Sequence, residues 1–190
     1  GGTAEAAATI LERFDQLRNP ESRYATIGEI VRRAALANYQ AARNSFEWQT
    51  FLALSAAAVS DPEVREAVEE RLGSEGSFAT VLAEFYGDMT KLLGVRFRPD
   101  VDAELFTTLA SSFLEGQMLR SISTPETIVR PFPFDAGNGV AEWTMPALGY
   151  FALMVALTEL NPDYDPETAL AEYLERHRDN PDKESSAPSD

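Results

Sequence analysis

The stretch VDAELFTTLASSFLEGQMLRSI, residues 101–122, decides how the rest of the chain is read. It predicts one helix of about six turns, roughly 30 Å long at the α-helical rise. Arg98-Pro99-Asp100 prepares its start. Pro99 ends the preceding segment, Asp100 or Asp102 can cap, and Asp102 and Glu104 place negative charge where the helix dipole favours it. Leu105, Leu109 and Phe113 follow at steps of four, with Phe106, Ala110, Leu114 and Met118 as a second row beside them. Two adjacent apolar rows make a face wider than a coiled-coil seam. Thr107, Thr108, Ser111, Ser112 and Gly116 are the small residues between them. A helix large on one side and small on the other can face a core and still admit a close neighbour. Gly116 costs about 1 kcal/mol against Ala in mid-helix. It reads as a tolerated glycine or a tight helix crossing, or else as room made for a ligand or a partner chain; close packing is the expected reason.

Working outward, the same periodicity recurs on both sides. Residues 3–18 are Ala-rich with Ile10, Leu11, Phe14 and Leu17 at helical spacing, and Asn19-Pro20-Glu21 breaks the run. Residues 22–43 predict a second helix with Ile27, Ile30, Val31, Ala34, Ala35 and Tyr39 inward and Arg32, Arg33 and Arg43 solvated. Ser45 caps a third helix over 46–59, whose large residues give way to a small run, Ser55 to Ala58. Ser60-Asp61-Pro62-Glu63 is a strong helix start. The short charged helix that follows breaks at residues 73–76, and residues 77–93 form another that ends at Gly94. After residue 122, Thr124-Pro125-Glu126 can start a short helical turn. RPFPFDAGNG, 130–139, is a loop by local composition, with Phe132 and Phe134 expected to pack down on the surface. Residues 143–160 predict a helix capped by Thr144 and apolar almost all round, hence buried on all sides. A second copy of the chain is one way to bury it. Pro162 and Pro166 precede a last amphipathic helix. No strand pattern stands out. The expectation is an all-α antiparallel helical bundle of about eight helices, one domain over 1–178, with a charged, disordered tail over 179–190.

The totals exclude several classes. With 31 acidic against 16 basic residues the formal net charge is -15, which opposes direct binding to a phosphate backbone. No cysteine is present, so thiol chemistry is out. The most apolar run, 145–157, is 13 residues long, short of the roughly 20 a spanning helix needs. No signal peptide is visible, so a cytoplasmic location is expected. The chain opens Gly1-Gly2-Thr3 without methionine, which reads as a piece of a longer protein. The single histidine, His177, lies between Arg176 and Arg178 and is expected to be solvated. One His and no Cys leave no zinc set, no Cys-His pair and no di-metal carboxylate bundle. No phosphate-binding glycine loop or nucleophile elbow occurs. Glu84, Asp88 and Glu115 are the only acids worth weighing for catalysis, and solvated surface acids are the simpler reading. No catalytic residue, metal or cofactor is expected.

The remaining signal is aromatic and methionine content. Phe46, Trp48, Phe51, Phe85, Tyr86, Met89, Phe106, Phe113 and Met118 could line one apolar pocket if their helices converge. Gln49, Tyr86, Ser112 and Gln117 are candidates for its few polar groups. Core packing is the simpler reading of each residue taken singly.

The span from Ile10 to Arg130 resembles the C-terminal, effector-binding domain of TetR-type transcriptional repressors. SDPEVREAVEERL at 60–72, FYGDMTKLLG at 85–94 and RFRPDVDAELFTTLASSFLEGQMLRSI at 96–122 carry the resemblance. In the last of these Phe97, Arg98, Pro99, Asp100, Asp102, Leu105, Gly116 and Leu119 match the family's late-helix pattern. The resemblance implies a small-molecule pocket inside each subunit. It also implies a homodimer through helices 101–122 and 143–160, with Ser112, Gly116, Leu119, Leu148, Phe151 and Val155 at the interface. An apolar effector would then shift the dimer between two states and respace its DNA-binding heads. The helix-turn-helix head is absent from this sequence: TIGEIVRRAALANY at 26–39 lacks the glycine of the tight turn. DNA would be reached only through such a head. The alternative is a helical interaction or scaffold domain without a small-molecule ligand.

Overall fold

Local capping sets where the helices begin. Helix α1, Pro20–Asn44, starts where the Asn19 side chain accepts from the Glu21 N–H at 3.0 Å. Helix α2, Phe46–Ala58, is capped by Ser45, which accepts from the Trp48 N–H. Helix α3, Pro62–Leu72, is capped by Asp61, which accepts from Glu63 and Val64. Helix α4 runs Phe78–Leu92 and helix α5 runs Ala103–Ser123, the latter capped by Asp102 through the Leu105 N–H at 2.7 Å. A short α6, Pro125–Val129, follows, then α7, Met145–Leu157, and α8, Pro166–Arg178. This computed structural model describes residues 8–72 and 78–178. The chain is mostly helical, as expected. No helix among the described residues is long and apolar enough to cross a membrane.

Three departures from the expected elements have physical causes. The run 131–139 belongs to a β-hairpin: β2, Phe132–Asp135, pairs antiparallel with β3, Val140–Trp143, in register Phe132↔Trp143 and Phe134↔Ala141. Phe132 and Phe134 alternate with Pro133 and Asp135, which is strand spacing. The Asp135 carboxylate accepts from the Gly137 and Gly139 N–H groups at 2.7 and 3.0 Å, and both glycines hold positive φ. Trp143 therefore ends a strand, and α7 begins only after Thr144. At its other end α7 stops at Leu157, because Thr158–Leu160 forms β4, antiparallel to β1, Val95–Phe97. The N-terminal helix covers residues 8–12 and tightens into a 3-10 turn, Phe14–Arg18. The expected structure of residues 1–7, the break at 73–76 and the tail at 179–190 lie outside the described residues, as does the His177 side chain.

The main core gathers around Ile27, Ile30, Leu92, Phe106, Trp143 and Met154. Helices α1 and α7 pack along much of their length. At Gly28 an added Cβ would stand 3.1 Å from the Phe151 ring, so the absence of a side chain lets the two helices close. Helix α5 packs between α4 and α7. The Phe113 ring lies on Gly149 and fills the space a Cβ would take. Arg23, 2 % exposed, donates to three carbonyls among the described residues: Leu17 at 2.9 Å, Gly94 at 3.1 Å and Asn161 at 3.2 Å. Its guanidinium also lies 4.5 Å over the Tyr164 ring. One side chain thus joins the 3-10 turn, the end of α4 and the loop before α8. A second, smaller core lies around Tyr39, Ala42, Leu114, Met118 and Ile128, with Trp48 and Leu52 of α2 half-buried on it.

Candidate functional site

The candidate pocket residues do not line one cavity. The structure separates them into distinct places. Phe106 belongs to the main core, with Tyr86 and Phe113 packed against it and Phe85 edge-on to Tyr86, so rings fill the space. Tyr86 meets Phe106 edge-on at 5.1 Å and Phe85 at 5.4 Å, and Phe113 meets Tyr150 at 5.8 Å. Tyr150 donates to the Ala110 carbonyl at 3.3 Å. Burial pushes the Tyr150 hydroxyl well above its usual value, with Tyr86 beside it adding to the effect, and burial raises Tyr86 too. Both phenols are neutral near pH 7 and act as hydrogen-bonding groups.

Met118 belongs to the second core and Trp48 packs against it, while Gln117 is buried beside Met118 in sequence. Gln117 is 4 % exposed and Tyr39 is 0 % exposed. Neither the Gln117 amide nitrogen, the Gln117 amide oxygen nor the Tyr39 hydroxyl has a hydrogen-bond partner among the described residues. At 3.6 residues per turn Gln117 falls in line with Phe106, Ala110 and Phe113 on α5, while Leu114 and Met118 pack with Tyr39 further round the helix.

The rest lie elsewhere. Phe46 is 80 % exposed and lines nothing. Gln49 is exposed and donates to the Arg43 carbonyl at 2.8 Å. Phe51 is half-buried edge-on to Trp48. Met89 faces a separate apolar pocket of about 100 Å³ with Ile10, Leu11, Leu92, Leu170, Tyr173 and Leu174. These four were expected in one interior pocket. Sequence spacing places residues on a helix side but not in a shared space.

Among the expected interface residues, Ser112, Gly116, Leu119 and Val155 are exposed and Leu148 is half-buried. Phe151 corrects the expectation: it is 8 % exposed, tilted on Trp143 at 5.3 Å and pressed over Gly28. Leu105, Leu109, Met145 and Ala152 extend the outward face. On α5 the outward positions 105, 109, 112, 116 and 119 step by four and three, which could have been read from the sequence. On α7 the outward positions 145, 148, 152 and 155 do the same. Among the described residues, nothing outside its own helix backbone lies within 4 Å of a Cβ added at Gly116, so no close packing within the subunit accounts for this glycine.

The acids weighed for catalysis do not converge. Asp88 is paired with Arg176 and lies 3.8 Å from Lys91, and Glu84 is exposed. Burial raises the Glu115 carboxyl. No group of three potential metal-ligating side chains occurs among the described residues. A cleft of about 250 Å³ that the spacing did not suggest lies between α1 and the β2–β3 hairpin, lined by Arg13, Glu29, Arg32, Asn138 and Trp143 among others. Glu29 is held below the usual carboxylate range, first by the Arg32 hydrogen bonds at 2.7 and 2.8 Å. The spacing of Glu29 to Arg32 and Arg33 carries that pairing. No family model, no curated protein and no solved structure matches this chain.

Proposed function

We propose that this chain is the ligand-sensing and dimerisation domain of a TetR-like regulator, a binding module and not an enzyme. The single observation that carries the reading is the outward face of α5 and α7. Two neighbouring helices each leave an apolar and small-residue stripe in water, with a glycine on one that has no packing role inside the subunit. Four such helices, two from each copy, bury both stripes across a two-fold axis. The motif residues Phe97 to Asp102, Gly116 and Leu119 support the family. At a net charge of -15 the chain itself is not what meets DNA, so that contact falls to a separate basic head. The scaffold reading draws support from the main core, where protein rings already occupy the space a ligand would take.

Sedimentation equilibrium with native mass spectrometry tests the proposal. The expected result is a dimer that carries a small molecule released on denaturation. A monomer at every concentration overturns the proposal. A dimer whose purified and denatured-refolded forms are identical in mass and ligand content favours the scaffold.

A further inference from the structure

We infer that the cleft between α1 and the β2–β3 hairpin binds a small monocarboxylate, held by the Arg13 guanidinium; this goes beyond the sensing reading and does not rest on it. The hairpin lies tightly on α1 at one place. A Cβ added at Gly28 would stand 3.1 Å from the Ala136 Cβ, and one added at Gly137 would stand 3.3 Å from the Ala25 Cβ. Ala25 and Ala136 also line the cleft, so this contact is its edge, and about 250 Å³ stays open beside it. That is smaller than the pockets that take drug-sized ligands, and it suits a small acid. Helix α1 supplies Glu29 and Arg32, and Arg13 comes from the turn before the 3-10 segment.

Two guanidiniums and one carboxylate among the lining residues leave the cleft one positive charge, in a chain whose net charge is -15. Hydrogen bonding decides which group is free to act. Glu29 accepts from Arg32 at 2.7 and 2.8 Å and from Arg33 at 3.1 Å, so its carboxylate is occupied and calls for no further cation. Arg32 is occupied as well: its Nε and Nη2 go to Glu29, and its Nη1 donates to the Glu142 carbonyl at 3.2 Å. Arg13 differs. Its Nη1 donates to Gln16 at 3.3 Å, its Nη2 lies 3.8 Å from Glu29, beyond hydrogen-bond reach, and its Nε has no partner among the described residues. A guanidinium offers five donors in a planar fork that meets a carboxylate with two parallel bonds. Glu12, Asp135 and Glu142 carry the neighbouring negative charge. Glu12 is paired with Arg33, and all three are exposed, where solvent and salt screen them. A dianion would set a surplus charge against Glu29. A single carboxylate matches the cleft, with its carbon body along Val140 and Ala141 of the hairpin.

Titration of the whole chain with benzoate, benzamide and inorganic phosphate at constant ionic strength, followed by the NMR signal of the Trp143 indole N–H, tests this. The chain has two tryptophans, so Trp48→Phe assigns that signal. Benzoate is expected to shift it saturably, with a dissociation constant of about 1 mM, and benzamide and phosphate to bind at least about tenfold more weakly. Arg13→Gln is expected to lower benzoate affinity to the level of benzamide. Arg43→Gln, which removes the same charge at the far end of α1, is expected to leave it unchanged. Should Arg13→Gln fail to fold, Arg13→Lys, which keeps the charge without the fork, is expected to bind benzoate several-fold more weakly. Benzamide binding as tightly as benzoate, or parent-like benzoate binding by the Arg13 variants, overturns the role of the guanidinium. Phosphate binding as tightly as benzoate overturns the assignment to a carboxylate. No saturable shift with any of the three removes the site, while the dimer, read independently by sedimentation, is unaffected.

Discussion

Gly116→Arg puts the dimer reading under direct load. Leu105, Leu109, Leu119, Met145 and Val155 on the outward face are each between 38 % and 50 % exposed in the subunit. Covering what remains of each contributes about 1 kcal/mol. A two-fold interface uses every position twice, so the stripes together contribute about 10 kcal/mol. Association costs about 4–15 kcal/mol before any surplus appears. The balance is close, so one substitution at the seam decides it. The introduced guanidinium, present once in each copy, sets two like charges against the apolar stripes at a cost of about 3 kcal/mol or more. That weakens the dimer about a hundredfold or more. Its Cβ meets no atom among the described residues, and the change replaces glycine by a better helix former, which stabilises α5 by about 0.5–1 kcal/mol. Sedimentation equilibrium at several concentrations, with circular dichroism on the same samples, separates the two effects. The expected result is a folded monomer. A variant that remains dimeric with the dissociation constant of the parent places the interface elsewhere and refutes the argument.

Other consequences follow from single contacts. Gly149→Ala inserts a methyl where the Phe113 ring lies, so α5 and α7 must part; urea unfolding is expected to show a loss of about 2–3 kcal/mol, and a change under about 0.5 kcal/mol would contradict the packing. Arg23→Met removes the shared donor of three buried carbonyls and is expected to lower stability by about 3 kcal/mol in the same assay. Glu29 is depressed in the folded state, first by its hydrogen bonds from Arg32, so its contribution is complete above the ordinary carboxylate range and is lost as pH falls through its lowered folded value. Glu29→Gln is expected to be less stable at pH 7 and to lose less on acidification; parallel pH profiles would contradict that sign. Tyr164 is pushed up to about 12, mainly by burial, so its contribution is full below about pH 10 and disappears between about pH 10 and 12. Tyr164→Phe is expected to flatten that part of the alkaline unfolding profile.

The helix starts were legible because caps are local. Ser45, Asp61 and Asp102 each reach a backbone N–H two or three residues on, and that contact exists in the sequence before any tertiary packing. The hairpin at Phe132 to Trp143 was missed although its alternation was present, because Pro, Gly and Asn weigh toward loop in local statistics. β1 and β4 had no local signal at all. Each is three residues long and finds its partner only after α5 and α7 have been laid between them.

The site divides along the same line. Of the two apolar rows expected to share one face of α5, the row Phe106, Ala110, Leu114 and Met118 is buried, but Leu105 and Leu109 of the row beside it stand in water and the small residue Thr107 is buried instead. Spacing could not say that Phe46 would be left in water while Trp48, two residues on, would cover Met118. Nor could it say that Phe151 would turn inward on Gly28. Helical periodicity is a property of one element and is written in the order of its residues. Which faces meet, which rings fill one space and which polar atoms are left unmatched depend on crossing angles between helices, and those are settled only when all the side chains pack at once.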